Sequence, residues 1–80
     1  MAESVTNDLR DVQSRAQNAL AASPVYALRD LHVAHYGGTL LISGFVGSYY
    51  HKQLAQEVVR RLAKDEGIEV VNSIHVRQAK

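Results

Sequence analysis

The sequence predicts an α+β fold: a single small domain of order α-β-β-α-β, with two helices packed on one face of a three-stranded sheet. Three observations carry this. Apolar residues recur every three or four positions in two separate stretches, the periodicity of an amphipathic helix. Between and after those stretches the pattern changes to strict alternation, the periodicity of a strand with one buried face. The pair Gly37-Gly38 joins two alternating runs as a hairpin turn.

The first helix is expected over about residues 4–22. Val5, Leu9, Val12, Ala16 and Leu20, with Ala19, form a narrow apolar stripe. Asn7, Asp11, Ser14 and Asn18 form the opposite, polar face. Ser4 is the candidate N-cap, and Asp8 lies near the first turn, where the helix dipole favours an anion. Ser23-Pro24 ends the helix, because proline disfavours helical geometry in the residue before it.

A strand follows over 26–36, in which Leu31, Val33 and His35 point one way and His32, Ala34 and Tyr36 the other. Gly37-Gly38 is read as a two-residue type I′ turn, which needs positive φ at both positions. That loop sets the register: Tyr36 faces Thr39, His35 faces Leu40, Val33 faces Ile42 and Leu31 faces Gly44. The second strand, 39–46, places Leu40, Ile42, Gly44 and Val46 on the core face. A glycine where a strand wants bulk means that something approaches the backbone closely. Its core-facing direction makes the filler a packed side chain, Leu31 or a group from the second helix, rather than a ligand.

The second helix spans 48–66, capped by Ser48 and closed by Gly67 at C′. Its buried stripe is read as Leu54, Ala55, Val58 and Leu62, with Val59 at the flank. Tyr49, Gln53, Glu57, Arg60 and Lys64 face outward, and Glu57 has Arg60 and Arg61 at pairing distance along the helix. The last strand, 68–77, places Ile68, Val70, Ile74 and Val76 on one face with Asn72 among them. It fits beside the second strand in parallel or beside the first in antiparallel, and a right-handed crossover allows both.

Composition excludes several function classes. The chain has 80 residues, 46% apolar, with nine Lys/Arg against eight Asp/Glu. A domain of this size has a core only just sufficient for stability, and oligomerisation is a common supplement. The near-neutral balance gives no global field to attract nucleic acid or anionic membrane. Cysteine is absent, which removes disulfides, thiolate zinc sites and thiol catalysis. No apolar run reaches membrane-spanning length, and no signal peptide is written at the N-terminus, so the chain reads as cytoplasmic as it stands. No nucleophile has a supporting base, no carboxylates are paired, and no glycine loop precedes a helix. The expectation is a domain that is not an enzyme and carries no cofactor. No metal is expected either: His32 and His35 point to opposite faces, and His51 and His75 have no acidic partners at ligating spacing.

Two surfaces remain as candidates. The helix-free sheet face should present Ala34, Tyr36, Leu41, Phe45 and Val71, an apolar patch that nothing in the chain covers, which marks an interaction surface. His32 and His75 share that face, where protonation below neutral pH would tune an interface. Tyr49, Tyr50 and Lys52 combine aromatic and basic groups beside helix N–H donors that favour a headgroup phosphate. In the plainer alternative Tyr50 packs under the sheet edge and the other two are ordinary surface.

The order of elements and the run Gly38-x-Leu40-x-Ile42-x-Gly44-x-Val46 resemble the BON domain, named for bacterial osmotic-stress and nodulation proteins. Ala55, Val58 and Leu62 in the second helix, then Gly67-Ile68, Val71-Asn72, Ile74 and Val76, extend the resemblance to roughly residues 12–76. Every matched position is structural, including Gly38, Gly44, Gly67 and Asn72, and Gly37 beside them is a structural residue of the turn. The resemblance implies a non-enzymatic binding module of the bacterial envelope or periplasm, attaching to anionic phospholipid or mediating protein contacts, including with its own copy. The chain departs from the family in having one domain, where a tandem pair is common, and no leader peptide. The alternative from another class is a small module that binds single-stranded nucleic acid. Neutral charge and the absence of a basic–aromatic sheet face or a Gly-x-x-Gly loop speak against it.

Overall fold

A computed structural model describes the backbone of residues 3–77 and the side chains of residues 9–64 and 66–77. Helix α1 spans Glu3–Ala21, strand β1 His32–Tyr36, β2 Thr39–Val46, helix α2 Tyr49–Ala63 and β3 Glu69–Val76, so the order is α-β-β-α-β. The sheet order is β1-β2-β3, with β1 antiparallel and β3 parallel to β2. Of the two placements the sequence allowed, the crossover through α2 takes the parallel one. That makes β2 the central strand and leaves β1 and β3 as edges.

The core is built as the alternation requires. Leu40, Ile42 and Val46 of β2, Val33 of β1 and Ile74 of β3 are buried on the face covered by the helices. Val12, Ala16 and Leu20 of α1 meet them from above, as the stripe predicts. The helix already includes Glu3, so Ser4 lies inside it and is not the cap; the side chains of Ser4, Val5, Asn7 and Asp8 lie outside the described residues. In α2 the buried line is Ala55, Val59 and Ala63, and Leu54, Val58 and Leu62 are only half-buried. The stripe is therefore rotated from the expected one, and Val59 is its centre rather than its flank. Small alanines at the closest approach bring the helix axis near the sheet, and the larger aliphatics fill the sides.

The expected strand over 26–36 is half right. Its first part is a 3-10 turn at Tyr26–Leu28, and the strand begins only at His32. Hydrogen bonds from Leu28 N to Val25 O (3.1 Å), Arg29 N to Tyr26 O (3.1 Å) and Leu31 N to Leu28 O (3.3 Å) close successive tight turns. The physical reason lies in the spacing of Val25, Leu28 and Leu31. A three-residue repeat stacks side chains on one side of a 3-10 helix, and there Leu28 and Leu31 are buried with Val25 beside them. Ser23 Oγ accepts from Val25 N (3.0 Å) and Arg29 Nε donates to Ser23 O (2.8 Å), which fixes the turn to the end of α1.

The hairpin register is the predicted one from Tyr36↔Thr39 through Val33↔Ile42. The turn type is not: of the two loop residues only Gly37 has positive φ (61°). That sign pattern belongs to type II′, not I′; both twist in the sense the strands need. At the other end of the domain, α2 stops at Ala63 and continues as a 3-10 turn, Lys64–Glu66. Gly67 is left-handed (φ 68°, ψ 24°), and Ile68 N donates to Ala63 O (3.4 Å). This is the six-to-one bond of a Schellman cap, for which glycine at C′ avoids the Cβ penalty.

Candidate functional site: the helix-free sheet face

Registers on both sides of β2 give the composition of the uncovered face row by row. Tyr36, Thr39 and Glu69 form one row, and Ala34, Leu41 and Val71 the next. His32, Ser43 and Ser73 follow, and Phe45 pairs with His75 in the last. All five residues expected on this face are there. Tyr36 is 68% exposed, Phe45 57% and Val71 42%, with Ala34 and Leu41 half-buried. The face is not one contiguous apolar patch, however. A polar row of His32, Ser43 and Ser73 separates the cluster of Tyr36, Ala34, Leu41 and Val71 from Phe45.

Phe45 is built into a second cluster of its own. The His75 ring stacks on it with centroids 5.5 Å apart, and the Arg77 guanidinium lies 4.2 Å from its centroid. Arg77 reaches this position because its backbone N–H donates to Val46 O (2.7 Å), continuing the ladder one residue past β3. A cation over an exposed ring contributes about 0.5–1 kcal/mol. Its larger effect is to make this end of the face both aromatic and basic, while the opposite row carries Glu69. Sequence reading placed His75 on this face but missed Arg77, although two-residue alternation from Val71 reaches it directly.

The second candidate surface is only partly assembled. Ser48 caps α2 as predicted: its Oγ accepts from His51 N (3.2 Å) and contacts His51 Nδ1 (3.1 Å). Tyr49 and Tyr50 are 67% and 70% exposed, so Tyr50 does not pack under the sheet edge. It leans on the His51 ring, with centroids 5.6 Å apart. Lys52 is half-buried, and its carbonyl accepts from Asn72 Nδ2 (3.1 Å). The ion pair between Glu57 and Arg60 or Arg61 does not form; among the described residues the one salt bridge joins Arg15 and Asp11 (3.0 Å).

Gly44 is a packing site and not a ligand approach. A Cβ placed there would lie 2.7 Å from Leu31 Cδ2, and its φ of 130° is one that side chains rarely adopt. Leu31 thus covers Gly44 as the register predicts, although it sits one residue before β1.

Three glutamines and one asparagine hold the sheet edges, and the glutamines had no place in the sequence reading. Gln17 Oε1 accepts from Val33 N (2.8 Å) while its Nε2 donates to Leu31 O (2.8 Å); Gln13 Nε2 donates to Val33 O (2.9 Å). These side chains act as a substitute strand along β1. Their signal was their spacing: residues 13 and 17 are one helical turn apart and flank the buried Val12 and Ala16. On the far edge, Asn72 donates to Lys52 O and to Gln56 Oε1 (2.9 Å) and accepts from Ile74 N (3.1 Å).

Among the described residues no helix is long and apolar enough to cross a membrane. The chain matches no model of a known protein family, and a comparison with curated proteins finds no match either.

Proposed function

We propose that this domain is a non-enzymatic binding module, of the kind the BON resemblance implies, that contacts protein through its helix-free sheet face. The observation that carries the reading is the exposure of Tyr36, Phe45 and Val71 on a face that neither helix covers. Exposed aromatics beside an arginine are the residue types enriched at protein interfaces. Three strands, the longer two of eight residues, present at most a projected area of about 14 × 26 Å, or about 370 Å², on the usual strand spacings. A standard interface buries about 800 Å² per partner, so the contact supported here is weak and transient, or is completed by neighbouring loops. The simplest partner is a second copy, because stacking two faces about a two-fold axis that runs across the strands brings Glu69 of each toward Arg77 and His75 of the other.

Sedimentation velocity over a range of protein concentrations tests this. The wild type should grow in mass with concentration, and Phe45→Glu and Leu41→Glu should stay monomeric with unchanged circular dichroism. A mutant with wild-type mass at every concentration excludes this face as the self-contact.

A second reading, attachment to anionic phospholipid, is favoured by the exposure of Tyr49 and Tyr50 at the start of α2. It predicts that vesicles containing phosphatidylglycerol, but not pure phosphatidylcholine, shift the amides of Tyr49, Tyr50 and Lys52. Silence in both series removes it.

A further inference from the structure

The two edges of the sheet are treated differently, and the difference points to a second binding site away from the helix-free face. Along a strand, the N–H and C=O of one residue point to one side and those of the next to the other. Arg77 N reaches β2, so the odd-numbered residues of β3 pair with β2 and Val70, Asn72, Ile74 and Val76 turn their backbone groups outward. No strand lies on that side among the described residues. On the β1 edge the equivalent groups of Val33 are both taken by Gln13 and Gln17. On the β3 edge, among the described residues, only Ile74 N is taken, by Asn72 Oδ1. Natural sheets blunt or cover their edges to avoid uncontrolled pairing. Here one edge is closed at its middle, and the other is closed only at Ile74.

Ile68 N is already held by Ala63 O, so the part left open is Val70 and Asn72, and it borders a groove. This open groove of about 640 Å³ runs between β3 and the second half of α2. Ile68 and Val70 form its apolar floor, and Gln56, Arg60 and Lys64 form the wall along α2. Gln56 is fixed to Asn72, so Arg60 and Lys64, four and eight residues later on the helix, run back toward Val70 and Ile68. The two spacings agree. Four helical residues rise about 6.0 Å, and two strand residues about 6.6 Å. Arg60, Arg61 and Lys64 outnumber Glu57 and Glu69 around the groove, so its net charge is positive.

We propose that the β3 edge captures an extended acidic peptide segment, which adds as a fourth strand along Val70–Asn72. Main-chain bonds to Val70 and Asn72 would supply the pairing, as in other strand-addition complexes. Carboxylates two residues apart on the segment would fall opposite Arg60 and Lys64, which sets the sequence it selects. Asn72 ends the site by occupying the Ile74 N–H.

The test is fluorescence anisotropy with a labelled peptide of about ten residues that alternates glutamate with valine or threonine, long enough to pair along the whole open edge. Saturable binding is expected, with Val70 and Asn72 amide shifts in nitrogen–proton spectra. Affinity should fall about tenfold for the protein double variant Arg60→Gln/Lys64→Gln, and by at least as much for a peptide with two central prolines, which cannot pair. Arg60 and Lys64 are exposed and glutamine is a good helix former, so the variant keeps its fold, checked by circular dichroism. No binding at millimolar peptide overturns the proposal. So does equal binding of the proline peptide, which would reduce the effect to nonspecific charge, and so does a preference for anionic vesicles over the peptide. Because the double variant leaves Phe45 and Leu41 untouched, failure of this site and failure of the sheet-face contact are read separately.

Discussion

Replacing Gly44 with alanine tests the packing of this domain at its tightest point. Two costs arise. An L-residue at φ 130° sits in a region where backbone strain amounts to about 1–3 kcal/mol. The new Cβ would also lie 2.7 Å from Leu31 Cδ2, and Leu31 is only 2% exposed, so the methyl must move into a filled core. Such overpacking costs about 1–3 kcal/mol. The methyl is the far end of a side chain and can yield in part, whereas the backbone cannot, so the strain dominates and a total of about 3 kcal/mol is expected. In a domain of this size each kcal/mol moves Tm by about 4–8 °C, which gives a drop of about 12–24 °C. Thermal unfolding followed by circular dichroism reads it, with urea titration as a second measure. The double variant Leu31→Ala/Gly44→Ala separates the two causes. With Leu31 cut back the overlap is gone, so the double should be more stable than the sum of the singles by about 1 kcal/mol. A Gly44→Ala protein melting within a few degrees of wild type would refute the strain argument. Strict additivity would refute Leu31 as the group over the glycine.

Other positions give independent checks. Gln17→Ala strips Val33 N and Leu31 O of their partners and should cost about 1–3 kcal/mol. It should also expose the β1 edge, so light scattering at high concentration should show aggregation that the wild type lacks; a fully soluble variant of unchanged stability would show that the glutamines do not guard the edge. Asn72→Leu removes three hydrogen bonds between β3, α2 and its own strand. Solvent can reach the freed Ile74 N–H at the edge, so a loss of only about 1–2 kcal/mol is expected, with faster hydrogen exchange at that amide as the specific signature. Unchanged exchange at Ile74 would contradict the capping role of Asn72.

Much of this structure follows from local pattern. The α1 stripe, the alternation through β2 and the hairpin register were readable because a two-residue loop leaves one register that puts Val33 against Ile42 on the buried face. Ser48 and Gly67 were readable because a cap depends on its own few neighbours. Reading failed where one pattern serves two geometries. Residues 25–31 carry enough aliphatics for a strand, yet their three-residue spacing suits a 3-10 turn that buries Leu28 and Leu31. In α2, Leu54, Ala55, Val58, Val59, Leu62 and Ala63 each fit one helical stripe or another. Only the distance to the sheet chose Val59 and the alanines as the innermost line.

The candidate sites divide the same way. Alternation alone put Ala34, Tyr36, Leu41, Phe45 and Val71 on the uncovered face, because a strand's side chains have only two directions to take. The sequence by itself thus determined the order of the elements, the hairpin register and the composition of each sheet face. Tertiary structure decided that β3 lies parallel beside β2, that Gln13 and Gln17 close one edge, and that Asn72 closes the other only in part. Those are choices between distant segments. Hydrogen-bonding groups that local pattern leaves equally free are distinguished only when packing brings a particular partner within reach.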